Sequence, residues 1–78
     1  MEVTHTYEFN SSKCTYRFGA IQRHRQGGYN HVLQVKSGPF WRTIEEIHAT
    51  HSLDFKNLWL KEWCKVFGIK DVSKISLP

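Results

Sequence analysis

Apolar and polar positions alternate through the first third of the chain. Val3, His5, Tyr7 and Phe9 alternate with Thr4, Thr6 and Glu8; beyond the breaker Asn10-Ser11-Ser12, Cys14, Tyr16, Phe18 and Ala20 alternate with Thr15, Arg17, Gly19 and Ile21. A period of two is the signature of a strand half-buried on one face, so the two runs predict a hairpin. Gln26-Gly27-Gly28-Tyr29-Asn30 breaks the pattern again, and His31 to Lys36 predicts a third strand with His31, Leu33 and Val35 inward. The opposite face, with Thr4, Thr6, Glu8, Thr15, Arg17, Ile21, Arg23, Val32, Gln34 and Lys36, then lies open to solvent and is largely polar and basic.

The period changes after Ser37-Gly38-Pro39, which reads as the end of the sheet because proline cannot donate to a ladder and suits a helix start. Thr43-Ile44-Glu45-Glu46 fits a capping box, predicting a short helix to about Thr50. Ser52 or Asp54 is placed to cap a second helix, in which Phe55, Leu58, Trp59, Trp63, Val66 and Phe67 recur at three- and four-residue steps before Gly68 stops it. Leu60 and Cys64 widen its apolar surface, so either the tail through Val72 and Ile75 or a second copy of the chain must cover them. The expected architecture is α+β: a three-stranded antiparallel meander followed by two helices packed on one sheet face (β-β-β-α-α), with a short C-terminal edge strand as an optional addition.

Seventy-eight residues, 40% hydrophobic and 14% aromatic, predict a single globular domain over residues 1–78. The N-terminal segment has no basic region followed by an apolar run, and no 18 consecutive residues are apolar, so a cytoplasmic protein without a membrane span is expected. Two cysteines, Cys14 and Cys64, do not make a disulfide framework and read as small core residues.

Charge adds an asymmetry that the periodicity does not show. Residues 1–42 carry all four arginines, six basic and two acidic side chains, net +4; residues 43–78 carry five of each. Guanidinium forks suit phosphate and carboxylate, which points to an acidic or phosphate-bearing partner for the first half. Arg23, His24 and Arg25 stand beside two glycines and Tyr29 at the expected hairpin tip, a basic and aromatic mixture that can track a nucleic-acid backbone. With Arg17, Gln34, Lys36 and Arg42 they make the candidate binding set; no catalytic, cofactor or metal set is assigned.

Three other chemistries have partial support in the residues. Ile44 to Trp63 can be laid on a helix-turn-helix, although His48 and Ser52 stand where a small residue and glycine are usual and Lys56, Asn57 and Lys61 make poor groove readers. His48 and His51 are three apart and Cys14 or Cys64 could complete a zinc site, yet no C-x-x-C, H-E-x-x-H or second histidine pair accompanies them, so the spacing is weak evidence. A small ribonuclease could use His24 as acid or base with Arg23 or Arg25 stabilising the developing charge. The leading expectation is a non-enzymatic, monomeric binding protein that docks a basic sheet and hairpin on nucleic acid, or on the acidic protein surface of a nucleic-acid-handling complex. Its small size suggests by analogy a phage or mobile-element inhibitor of a host defence complex; the helix-turn-helix regulator and the ribonuclease are the alternatives.

Overall fold

The computed structural model describes residues 2–22, 29–49, 55–70 and Ile75. Among these, β1 (Thr4–Asn10), β2 (Thr15–Ile21), β3 (Tyr29–Ser37) and β4 (Phe40–Ala49) form an antiparallel sheet in the order β1-β2-β3-β4. A π-helical turn, Lys56–Leu60, runs directly into the helix α1 (Lys61–Phe67).

The expected β-β-β-α-α order is therefore wrong at its fourth element. The segment assigned to a first helix is β4, and a single short helix remains where two were expected. Gly38-Pro39 does not end the sheet but turns it: Ser37 pairs with Phe40, and Gly38 takes φ 60°. Proline cannot follow into positive φ, so the two residues have the sign pattern of a II′ hairpin turn, which matches strand twist. The apparent capping box straddles a bulge. Leu33 pairs with Glu45 and the next residue, Gln34, with Thr43, leaving Ile44 extra on β4. The extra residue breaks the period of two and puts Ile44 and Ile47 at a helix-like step, which disguised a strand as a helix. No C-terminal edge strand is present among the described residues.

The helix-bearing face of the sheet is apolar. Phe18 and Leu33 pack with Phe55, Leu60, Trp63, Cys64 and Ile75 in one buried cluster, flanked by Tyr7, Phe9, Tyr16, Ile47, Phe67 and Ile69. Trp63 stacks on Phe18 at 5.3 Å, and Phe9 touches Phe18 and Phe67 at 4.9 and 5.0 Å between ring centroids. The burial of Ile75 means that the tail, as one of the two expected alternatives, contributes to the cover over Leu60 and Cys64.

The π turn sets which helical residues reach this cluster. Its i→i+5 bonding adds one residue to the turn, so Phe55 and Leu60 fall on the same side. Leu60 is 0% exposed and Trp63 8%, whereas Trp59, expected in the core, is 47% exposed and Val66 is also on the surface. From Leu60 onward Trp63, Cys64 and Phe67 follow at ordinary α spacing. Gly68 ends α1 at φ 70°, as expected, with its N–H donating to Lys65 O and Ile69 N–H donating to Cys64 O, the paired bonds of a Schellman cap.

The outer face differs from the expected open, polar surface. Ile21, Val32 and Gln34 are all buried there, Val32 at 0% exposure. β1 carries a second bulge. Thr4 pairs with Ala20 but Tyr7 with Phe18, so His5 and Thr6 together oppose Gly19, and His5 takes φ 54°. This reset removes Val3 from the core row that Tyr7 and Phe9 occupy, while His5 stays on the helix-bearing side, beside Tyr29 and the edge of the core at His31 and Phe55. His5 becomes exposed, and Val3 lies over Gly19, where a Cβ would run into Val3 Cγ1 and approach Thr6 Cγ2 at 3.4 Å. Cys14, expected in the core, is exposed in the β1–β2 turn, where its carbonyl accepts from Ser11 N–H at 2.9 Å.

Candidate functional site

Strand pairing lines up Glu8, Arg17, Gln34 and Thr43 in a polar row across all four strands of the outer face. Arg17 Nε donates to Gln34 Oε1 at 2.6 Å, and Gln34 Nε2 donates to Thr43 Oγ1 at 3.0 Å. The Arg17 guanidinium also lies over the Trp41 ring, 4.4 Å from its centroid. Burial lowers the Arg17 pKa and the neighbouring Glu8 works against that shift; the guanidinium stays charged in any case. A cation held by an amide on one side and an aromatic face on the other has few rotamers left to lose, which favours docking without much further ordering.

These residues stand at one end of the sheet. The β1–β2 and β3–β4 turns are both there, bringing exposed Lys13, Lys36 and Arg42 near the row, with Lys36 paired to Trp41. Tyr29 belongs to the other end, some 20 Å away along β3 at strand rise. There it meets His5 edge-on and lines a surface cavity of about 370 Å³ with Glu2, Thr4, His5 and Gln22. Arg23, His24 and Arg25 lie outside the described residues.

The candidate binding set is thus divided. Arg17, Gln34 and Lys36 share the outer face as expected, but Gln34 is buried and positions Arg17 instead of presenting itself. Arg42 pairs with Val35 and belongs to the helix-bearing face. Trp41 was missed because the segment read as a helix start; with the Gly-Pro hairpin recognised, the alternation from Lys36 through Trp41 would have placed it on the outer face.

His31 is the most perturbed group in the core. Its ring is buried against Phe55, its Nε2 lacks a hydrogen-bond partner, and its pKa falls to about 4, first through burial and then through His48 and His5 nearby. Burial likewise raises the Cys64 thiol. Among the described residues no three His, Cys, Asp or Glu side chains converge as a metal site, and no helix is long and apolar enough to cross a membrane. The helix-turn-helix layout fails because its first helix is β4; His51 and the ribonuclease residues Arg23, His24 and Arg25 lie outside the described residues. No protein-family model, curated protein or solved structure matches the chain.

Proposed function

We propose that this chain is a non-enzymatic binding module that docks single-stranded nucleic acid on the outer face of its sheet, at the end bearing Trp41. The observation that carries this reading is Arg17 held over Trp41 by Gln34, with Lys36 exposed beside it and Lys13 exposed in the β1–β2 turn at the same end of the sheet. An aromatic ring offers a sequence-tolerant stacking surface for bases, and cations around it follow the phosphates. The charge asymmetry fits, because the net +4 lies wholly in residues 1–42. The phage-inhibitor reading rests on chain size alone and is favoured by no contact or surface in the fold.

Fluorescence anisotropy with labelled oligo(dT) and oligo(U) tests the proposal. Reversing Lys13 and Lys36 to Glu should weaken binding about tenfold or more, with affinity falling steeply as salt rises. Reversing Lys56 and Lys61, exposed cations on the helical side, should change little. Equal losses from both pairs, or no binding at low salt, would reject the surface and leave an acidic protein as the better partner class.

A further inference from the structure

β4 is an edge of the sheet, and no described strand lies beyond it. Its residues from Arg42 to Glu46 are exposed, Phe40 is 74% exposed and Ile44 is a large exposed apolar residue. A ten-residue edge with apolar side chains is a template for another strand unless something blunts it.

The bulge at Ile44 gives this edge an unusual property. Arg42 pairs with Val35 and Glu45 with Leu33, and Val35 and Leu33, two apart on β3, point to the same face. Arg42 and Glu45 therefore share a face although they are three residues apart. Phe40 and Ile47, paired with Ser37 and His31, lie on it too. Along the helix-bearing side β4 reads apolar, cation, anion, apolar.

That pattern is its own complement when reversed. We propose that β4 pairs antiparallel with β4 of a second copy of this chain, about a two-fold axis perpendicular to the sheet between Thr43 and Ile44. Arg42 then lies opposite the partner's Glu45, and Phe40 opposite the partner's Ile47, each contact occurring twice as the symmetry requires. In an unbulged strand residues three apart point to opposite faces, so this register would be barred; the extra residue of Ile44 permits it in both copies at once. The local charge also selects the occupant. With Arg42, Glu45 and Glu46 the edge is slightly acidic, which disfavours a polyanion here and leaves the Arg17 and Trp41 surface separate on the other face.

Sedimentation equilibrium of the full chain, without nucleic acid, tests the pairing independently of the proposed docking surface. The wild type should dimerise. Arg42→Glu and Glu45→Arg each place like charges opposite one another and should each weaken the dimer about tenfold or more. An equimolar mixture of the two variants should recover a heterodimer, since each then supplies the charge the other lacks, and the double variant should dimerise with itself. Both positions are exposed, so circular dichroism should show the fold unchanged. A monomeric wild type would show that the bulge serves to keep edges apart. A dimer indifferent to both single variants, or single variants that stay apart when mixed, would equally overturn the pairing.

Discussion

The imidazole of His31 lies flat on Phe55, with 3.8 Å between ring centroids and 5° between their planes. The contact joins the N-terminal part of β3 to the residue from which the helical segment starts, and it is formed by the neutral ring. Because the folded pKa of about 4 lies below the ordinary 6.5, the unfolded chain binds this proton more readily. The contribution is complete above pH 6.5 and is lost progressively as pH falls to about 4, roughly 3 kcal/mol in all. Urea unfolding at pH 7.5 and 4.5 should show His31→Leu losing less stability on acidification than the wild type; identical losses would exclude His31 as the source.

Trp63 and Trp59 should respond very differently to truncation. Trp63 stacks on Phe18 and meets Phe55 edge-on at 5.3 Å, so Trp63→Ala should cost about 3 to 5 kcal/mol and leave this small domain unfolded or nearly so. Trp59→Ala, on the exposed side of the π turn, should cost under about 1 kcal/mol. Denaturant midpoints of the two variants check this, and comparable losses would contradict the phase of the π turn.

Gly19 and Val3 should be coupled. Alanine at position 19 needs the space that Val3 Cγ1 fills, and a β-branched side chain has little rotamer freedom with which to yield it. Gly19→Ala should cost about 1 to 3 kcal/mol in the wild-type background and distinctly less beside Val3→Ala. A double-mutant cycle by thermal unfolding gives the coupling; strict additivity would mean that Val3 does not lie over Gly19.

Gln34 should matter for binding through Arg17. Replacing it with Leu keeps the bulk on the buried side of the row but removes the acceptor that holds the guanidinium over Trp41. Oligonucleotide affinity should fall several-fold, while Gln34→Glu, which retains an acceptor, should recover part of it. An unchanged affinity in Gln34→Leu would show that Arg17 needs no such support.

Much of the sheet was legible because alternation survives wherever strands are regular: Tyr16 to Ile21 and His31 to Lys36 sit in strands as their pattern implies. What was hidden lies where one residue is added. His5 and Ile44 sit in bulges, and a residue that opposes nothing shifts every later side chain to the other face. The same one-residue shift in the π turn exchanged Trp59 for Leu60. Of the binding set, the shared face of Arg17, Gln34 and Lys36 followed from alternation. The role of Trp41 did not, since it depends on Gly38-Pro39 turning the chain back beside β3.

The π turn leaves the helical segment with one residue to spare. Between Phe55 and Leu60 the chain spends five steps where a regular α-helix would need four, while the spacing from Leu60 through Trp63, Cys64 and Phe67 is already that of an uninterrupted helix. A chain shortened by one exposed residue here would present the same buried side chains along a straight stripe, so this stretch is where the core tolerates a change in length. Between the paired strands, away from the bulges at His5 and Ile44, each residue is counted off against a neighbour and the sheet has no comparable slack.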